Sequence, residues 1–275
     1  MSKIKLIAMD MDGTLLDDRQ HIPKENLTAL KQAVAQGVHI AICSGRSASD
    51  VSYFASDAGL DQCSILALNG ACCLKAPHQE PYSVSNVKAQ TADRVVDILL
   101  KHKVTFACFQ KNRVVVLQND YQVQKLNWGT HVARNNANAY AYGIESLERF
   151  KNEGICKFVY IDEDGSPRIE MIRQELIPLE SLFVTSSWSN NLELMPQGVS
   201  KGVALQDLAQ RLGINQDEVM AMGDYDNDLD MIEYAGFGVA MGNASDRVKH
   251  AAKHITLTNE ENGVAVAIRR FVFTS

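Results

Sequence analysis

The sequence predicts an α/β protein in which both ends of the chain build one parallel sheet and an α+β domain is inserted between them. Before about Ser83, short apolar runs alternate with helical patterns, which is typical of a parallel sheet covered by helices. From Ser83 to Pro196 the strands become closely spaced and mainly antiparallel, and after Pro196 the first pattern returns. We therefore predict one domain of residues 1–82 and 196–275, and an inserted domain of residues 83–195.

In the N-terminal segment, continuous apolar runs predict buried strands, and stretches with an apolar face predict helices. The first helix is closed by Gly37, a residue that is common just after a helix. In chain order the predicted elements are a strand at 5–9, a helix at 23–36, a strand at 38–43, a helix at 47–58 and a strand at 64–68.

The middle segment begins with a helix predicted at 88–102, which places Val95 and Leu99 on one face. The runs VTFACF and RVVVLQ follow each other closely and predict a hairpin, and KFVYID, LFVTSSW and NLELMP predict further strands. After Pro196, strand and helix alternate again. The predicted elements there are helices at 202–212, 229–235, 246–252 and 263–270, and strands at 218–222, 237–241 and 254–257.

Composition and charge restrict the possible functions. Of 275 residues 46% are hydrophobic and 22% charged, which excludes wholesale disorder. The balance of 27 basic and 33 acidic residues predicts neither a nucleic-acid partner nor binding to an anionic membrane.

No run is long enough for a membrane span, and the apolar run before Asp10 is too short for a signal peptide. The cysteines lack C-x-x-C spacing and lie mostly in apolar runs, so we expect buried free thiols and a cytoplasmic protein.

The first candidate motif, Asp10-Met11-Asp12-Gly13-Thr14, directly follows an apolar strand. In extended backbone, residues two apart point to the same side, so the two carboxylates can converge on one point. Ligands of open α/β sheets bind at the strand ends. An ordinary Asp-Gly turn is the alternative interpretation.

The second motif, Gly223-Asp224-Tyr225-Asp226-Asn227-Asp228, follows another apolar strand and is dense in oxygen donors. A solvated acidic helix start is the alternative. A calcium loop is excluded, because Leu229 stands where glycine is needed and Ala235 where the terminal glutamate belongs.

Two further features suit an anionic ligand. Ser44 and Gly45 lie between a strand and a helix, where a hydroxyl and free N–H groups can hold phosphate oxygens; Ser44 as a plain helix cap is the alternative. Cys43 is not a cysteine-phosphatase nucleophile, because Ser49 stands at the position of the required arginine. Lys201 opens a helix, where a cation opposes the helix dipole, which hints weakly at an anionic partner.

Taken in order, these motifs resemble those of the haloacid dehalogenase superfamily, and the whole chain resembles its Cof-type sugar-phosphatase branch. Asn69-Gly70-Ala71 after the third strand and the large insertion between the serine and lysine motifs match that branch as well. The resemblance implies a Rossmann-like doubly wound parallel sheet with an inserted α+β cap domain of the C2 type.

The resemblance also implies roles for individual residues. Asp10 is the expected nucleophile and a Mg²⁺ ligand, and Asp12 is the expected general acid/base, with its backbone carbonyl on the metal. Asp224 is a further metal ligand, and Asp228 supports the metal site. The expected phosphoryl-binding groups are Ser44, Gly45, Lys201, Asn227 and the backbone N–H of Met11.

The implied function is a Mg²⁺-dependent phosphatase of small phosphate monoesters, chiefly sugar phosphates, acting through an aspartyl-phosphate intermediate. The expected partner is a small phosphorylated metabolite. A phosphosugar mutase and a non-catalytic sensor of phosphorylated ligands remain alternatives. The presence of both Asp10 and Asp12 argues against the sensor, because both are residues of the implied chemistry.

Overall fold

Two β-sheets organise the residues that the computed structural model describes, which are 4–111, 113–116, 140–162, 167–186 and 190–273. The strands of the first sheet are β1 (Leu6–Met9), β2 (His39–Cys43), β3 (Ser64–Ala67), β4 (Cys72–Leu74), β5 (Ser83–Val84), β12 (Val219–Gly223), β13 (Phe237–Ala240) and β14 (His254–Ile255). Those of the second sheet are β6 (Phe106–Phe109), β7 (Val114–Val116), β8 (Tyr140–Tyr142), β9 (Lys157–Ile161), β10 (Leu182–Thr185) and β11 (Asn191–Pro196).

The helices that accompany the first sheet come from both ends of the chain, and those of the second sheet come from its middle. They are α1 (Lys24–Ala35), α2 (Ala48–Asp57), α3 (Ala89–Lys101), α4 (Ile144–Glu153), α5 (Arg168–Leu176), α6 (Lys201–Leu212), α7 (Leu229–Tyr234), α8 (Asp246–Ala251) and α9 (Gly263–Ile268). Helix α1 packs against α9, and α6 packs against α7.

The first sheet reverses its winding direction beside its central strand. Its strand order is β14-β13-β12-β1-β2-β3-β4-β5, in which β14 to β3 are parallel and the last two strands are antiparallel. The chain winds from β1 towards β3 on one side and from β12 towards β14 on the other. The boundary between β1 and β12 is therefore a topological switch point, where ligands of open α/β sheets bind.

The second sheet has the order β10-β11-β9-β6-β7-β8 and is antiparallel apart from the pair β7 and β8. Successive side chains of its strands face opposite sides, as strand geometry requires. In β6, Phe106 packs with the second sheet's own buried cluster, whereas Ala107 joins the cluster that also contains the first sheet's core. One face of the second sheet is therefore packed against the part of the protein that contains the first sheet.

The predicted fold class is confirmed, and individual elements needed correction. The observed helices begin or end within a few residues of the predicted bounds, as expected for helix ends. Strand β14 covers only His254–Ile255, which is shorter than predicted, and β4, β5, β8, α4 and α5 were not predicted. The division at residues 83 and 195 stays a prediction.

Two expectations from composition can be compared with the structure. All six cysteines are buried free thiols, as predicted. Within the described residues, no helix combines the length and the apolar character that crossing a membrane requires.

Candidate active site

The predicted site residues meet at the carboxyl end of the first sheet, at its switch point. Asp10 follows β1 and Asp224 follows β12, and these two strands pair in parallel from Leu6 with Val219 to Met9 with Met222. The Asp10 N–H donates to the Met222 carbonyl at 3.0 Å, which continues the pairing to the strand end. The two motifs, more than 200 residues apart in sequence, are therefore neighbours because parallel pairing aligns their strand ends.

Lys201 joins both motifs through two short ion pairs. Its Nζ lies 2.5 Å from Asp10 Oδ1 and 2.6 Å from Asp228 Oδ1. Lys201 is the first residue of α6, and its side chain is fully buried. A cation at that position opposes the helix dipole, so these two carboxylates supply the compensating charge. The sequence indicated an anionic partner for Lys201, and in this structure its partners are the carboxylates of Asp10 and Asp228.

Burial sets the protonation of these groups. Burial raises the pKa of Asp10 well above its ordinary value, although Lys201 acts in the opposite direction and Asp228 adds to the rise. Burial, followed by the charge of Asp228, raises the pKa of Asp224 to about 7. For Lys201 burial alone would lower the pKa, but Asp10 and Asp228 outweigh it, so its pKa is raised and the ammonium stays charged.

Backbone contacts fix the acidic loop after β12. Asp228 Oδ2 accepts the N–H groups of Asp224 at 2.9 Å and of Tyr225 at 3.1 Å, and its side chain is fully buried. Thr14 donates its hydroxyl to Asp224 Oδ1 at 3.0 Å. Gly13 has φ +74°, and a Cβ there would lie 2.5 Å from Asp224 Oδ2, so only glycine fits between the two motifs.

Asp10, Asp224 and Asp228 form a group that suits a divalent cation. Each offers one carboxylate oxygen, and these oxygens lie within 4.8 Å of one another. These three carboxyl groups share one cationic partner, Lys201, which pairs with Asp10 and Asp228, so the cluster has more acidic than basic side chains. Hard oxygen donors with excess negative charge are the environment that Mg²⁺ prefers. The proposed coordination by the Asp12 carbonyl stays a prediction.

Asp12 faces a partner that the sequence analysis did not assign. Arg46 Nε donates to Asp12 Oδ2 at 2.8 Å and its second guanidinium nitrogen donates to Oδ1 at 2.5 Å, a bidentate pair. Arg46 also contacts Gln20 and lies over the ring of Phe54 at 5.1 Å. The Asp12 side chain is therefore oriented from the loop after β2.

The loop after β2 is closed by its own contacts and by the second sheet. Ser44 Oγ accepts the Arg46 N–H at 3.1 Å, and the Ser44 carbonyl accepts the Asn69 N–H at 2.9 Å. The Gly45 carbonyl accepts a hydrogen bond from Lys157 of β9 at 3.1 Å. The alternative role of Ser44 as a cap of α2 is wrong, because Ser47 is the residue whose side chain caps that helix.

A cavity of about 870 Å³ lies between the strands β10 and β11 and the helices α6, α7 and α8, and Lys201 of the carboxylate cluster is part of its lining. Asn69, Lys201 and Asn227 line it on the side of the predicted site, and Thr185 and Ser186 line it from the second sheet. Within the described residues no side-chain hydrogen bond joins Asn227 to the other predicted site residues. Asn227 lines the cavity, as Lys201 does, and its predicted role at the phosphoryl oxygens stays a prediction. Met11 is buried at the start of the turn Met11–Leu15.

The sequence analysis did not assign four residues that belong to this region. Thr14 belongs to the first quoted motif and Arg46 directly follows Ser44 and Gly45, and their contacts depend on partners far away in the sequence. Lys157 opens the apolar strand KFVYI and Glu193 interrupts the apolar strand NLELMP, each with a charge. A charged residue in an otherwise buried strand is the signal that could have indicated them, since such a charge requires a partner.

The two ion pairs of Lys201 predict a large effect of its removal. In Lys201→Met we expect turnover of a phosphate ester to fall about a hundredfold or more, as for other preorganised charge stabilisers. The unfolding free energy should fall by on the order of 3–5 kcal/mol, because two buried carboxylates lose their cation. The loss should be smallest at acidic pH, because removing Lys201 raises the pKa of Asp10 further and its protonated form needs no cation.

The matched control is Lys24→Met. Lys24 is likewise the first residue of a helix, α1, but is exposed. Its substitution should leave both turnover and the midpoint of urea unfolding close to wild type. Equal effects in the two variants would contradict a specific role of Lys201.

The chain is similar over nearly its whole length to proteins of one family. A family model described as haloacid dehalogenase-like hydrolase matches residues 7–268. The 5-amino-6-(5-phospho-D-ribitylamino)uracil phosphatase YcsE of Bacillus subtilis is 35% identical over 272 residues, which cover 98% of this chain and 96% of that protein. The putative phosphatase YxeH of the same organism is 34% identical and covers 98% of each chain.

Solved structures show the same similarity. A haloacid dehalogenase-like hydrolase from Bacteroides thetaiotaomicron superposes with a TM-score of 0.83 at 30% sequence identity, and the match covers 98% of this chain and 99% of that one. These similarities span both sheets and the loops that carry the predicted motifs. The family resemblance inferred from the motifs is confirmed.

Proposed function

Since the chain belongs to the haloacid dehalogenase-like hydrolases and is a phosphatase of that family, we propose that it hydrolyses sugar phosphates through a phosphorylated Asp10 with Mg²⁺ as cofactor. The observation that carries the proposal is the buried contact of Asp10 with Lys201, beside Asp224 and Asp228. This arrangement places the Asp10 carboxylate next to the fixed ammonium group of Lys201 and next to oxygen donors that suit a metal cation. A phosphate ester, which carries two negative charges, needs both in order to approach a carboxylate.

In the first half of the proposed reaction, the Asp10 carboxylate attacks phosphorus in line with the ester oxygen. The P–O bond to the sugar breaks, an aspartyl phosphate forms, and Asp12 gives its proton to the departing alkoxide. In the second half, Asp12 takes a proton from the water that attacks phosphorus, and Asp10 is released. Bound Mg²⁺ would be held by Asp10, Asp224 and Asp228 and would offset the charge on the phosphoryl oxygens.

Other residues of the site orient these groups. Lys201 fixes Asp10 through Oδ1, and its charge stabilises the phosphoryl oxygens during transfer. Arg46 holds Asp12 by both carboxylate oxygens, so Asp12 has to turn away from Arg46 before it can serve the leaving oxygen. Ser44, Gly45, Asn227 and the N–H of Met11 are the proposed partners of the phosphoryl oxygens.

The polar lining of the cavity supports a leaving group with hydroxyl groups, such as a sugar, and its volume is ample for one. Thr185 and Ser186 offer hydroxyl groups to sugar hydroxyls, and Phe183 and Val199 offer apolar surface. Because the relative YcsE is named for a phosphorylated ribityl compound, phosphorylated sugar alcohols belong among the candidates. A phosphate-release screen over sugar phosphates, sugar-alcohol phosphates and nucleotides tests the proposal. Preference for nucleotides over every sugar phosphate would contradict the substrate class.

The acidic cluster predicts a metal requirement that depends on pH. Chelation should abolish phosphate release and Mg²⁺ should restore it. Because the pKa of Asp224 is raised to about 7, metal has to displace a proton below that pH. The Mg²⁺ concentration for half-maximal activity should therefore fall as the pH rises from about 6 to about 8. Full activity of a verified metal-free sample would contradict the metal site.

Thermal unfolding provides a second measurement of the same site. In the folded metal-free protein Asp224 keeps its proton up to about pH 7, whereas in the unfolded chain an aspartate has already lost it at pH 5. The stability of the metal-free protein therefore decreases as the pH rises towards about 7. Above about pH 7 the ionised carboxylates repel one another, and Mg²⁺ would offset their charge. Mg²⁺ should therefore raise Tm more at about pH 8 than at about pH 5.5. Asp224→Asn should reduce this shift. Asp226→Asn, whose carboxylate pairs with Arg247 instead, should keep it.

A further inference from the structure

Lys157 and Glu193 form a buried ion pair that belongs to the second sheet but reaches the site of the first. Lys157 Nζ lies 2.9 Å from Glu193 Oε1, and the two side chains are only 2% and 6% exposed. Lysine and glutamate are almost never this buried unless they are paired. The mechanism proposed above uses neither residue.

Strand alternation explains why both side chains point towards the first sheet. In β9, Phe158 packs into the second sheet's own cluster and Val159 into the cluster shared with the first sheet, which places Lys157 on the same face as Val159. In the neighbouring β11, Leu192 and Leu194 pack into the second sheet's own cluster. Glu193 lies between them and is paired in register with Val159. Two adjacent strands therefore present one charge each to the same side.

The pair contacts the loop that carries Ser44 and Gly45, which are proposed phosphoryl-binding groups, and the neighbouring turn that carries Asn69. Lys157 donates to the Gly45 carbonyl at 3.1 Å, and the second carboxylate oxygen of Glu193 accepts from the amide of Asn69. A Cβ on Gly45 would lie 3.0 Å from Lys157 Nζ, so a larger residue at this position would require the Lys157 side chain to shift. Because the Gly45 carbonyl points to Lys157, the following N–H of Arg46 is free to reach Ser44 Oγ.

The cluster is poorly suited to a purely stabilising role. Burying an ion pair costs desolvation that a well-packed apolar pair avoids. Asn69 Oδ1 is buried, and among the described residues it has no hydrogen-bond partner. A buried polar network with an unsatisfied member costs stability, and proteins tolerate this mainly at functional sites.

We propose that Lys157 and Glu193 are positioning residues of the phosphoryl-binding site, through which the second sheet holds Gly45 and Asn69 in the arrangement that accepts phosphate. The inference rests on the proposed function, in which Ser44 and Gly45 hold phosphoryl oxygens. It predicts that the pair affects phosphate binding and turnover independently of its effect on stability.

The double variant Lys157→Met with Glu193→Met separates the two effects. Removing both charges leaves no unpaired ion, so the double variant should have a higher thermal midpoint than either single methionine variant, each of which buries one unpaired charge. If the pair positions the loop, kcat of the double variant should fall about tenfold or more, and the inhibition constant of inorganic phosphate should rise by a similar factor. Turnover is measured well below the unfolding transition of every variant.

The matched control is Lys151→Met. It breaks the ion pair of Lys151 with Asp93, which lies in the helices of the second sheet, and should change kcat and the phosphate inhibition constant less than about twofold. A double variant with wild-type kcat and phosphate inhibition would overturn the proposal and leave the pair a structural feature. If the double variant does not fold, the isosteric Glu193→Gln decides in its place, and kcat within about twofold of wild type overturns the proposal.

Failure of the positioning role can be distinguished from failure of the proposed function. Asp10→Asn is measured in parallel. If it abolishes activity while the double methionine variant retains it, only the positioning role is wrong. If Asp10→Asn itself retains activity, the proposed function is wrong, whatever Lys157 and Glu193 do.

Discussion

Asp10→Asn is expected to lower phosphate release by about 10⁴-fold or more, the scale on which loss of a covalent nucleophile acts in other enzymes. The amide keeps the size of the side chain but cannot attack phosphorus. Folding should be retained, because Lys201 keeps its ion pair with Asp228 and a buried carboxylate with a strongly raised pKa is replaced by a neutral group. Phosphate release, circular dichroism and the thermal midpoint are the measurements.

Binding of a phosphate analogue shows whether the loss is chemical. The Asp10→Asn variant should still bind inorganic phosphate, because the proposed partners of the phosphoryl oxygens are intact. Loss of turnover with loss of all phosphate binding would indicate a disrupted site instead. Turnover within about tenfold of wild type would exclude Asp10 as the nucleophile.

Asp12→Asn is expected to have the second-largest effect, and its size should depend on the leaving group. A sugar alkoxide leaves poorly without a proton, so a sugar phosphate should hardly react. Nitrophenolate leaves readily without acid assistance, so p-nitrophenyl phosphate should still phosphorylate Asp10. The variant should then stall, because no base activates the water of the second step. The observable is a burst of nitrophenol that approaches one equivalent per active site.

The Arg46 contact makes a control for this variant necessary. Asparagine at position 12 removes the charge that Arg46 now pairs with, and Arg46 keeps its contact with Gln20. Arg46→Lys removes the bidentate geometry but leaves Asp12 itself in place. If Asp12 acts directly on the substrate, Arg46→Lys should show no burst. A burst of equal size in both variants would indicate that the orientation of Asp12, and not its proton transfer, is what the substitution removes.

The parts of the site that the sequence predicts are those encoded locally. Asp10 and Asp224 each follow an apolar run, and parallel sheets bring such strand ends to one edge, so their proximity follows from the fold class. Lys201 was indicated by its unfavourable place at a helix start. The resemblance to the family then assigned roles that spacing alone left open, such as that of Asp228.

What the sequence does not predict depends on packing between parts of the chain that are distant in sequence. The partner of Asp12 is Arg46, whose side chain is directed by packing over Phe54 rather than by the motif around it. Lys157 and Glu193 lie in strands whose type was predicted, but which face meets the first sheet follows only from the packed structure. The roles of Ser44, Gly45 and Asn227 at the phosphoryl oxygens stay predictions.

Covalent trapping of the intermediate tests the central claim most directly. The Asp12→Asn variant is mixed with p-nitrophenyl phosphate and Mg²⁺, quenched in acid and digested, and the phosphorylated peptide is identified by mass spectrometry. The account predicts one phosphoryl group on the peptide that contains Asp10, stable in acid and removed by hydroxylamine, and no such group in a variant that also carries Asp10→Asn. Phosphate release by the wild-type enzyme without any labelled Asp10 in the Asp12→Asn variant, or a label on another residue, would contradict it.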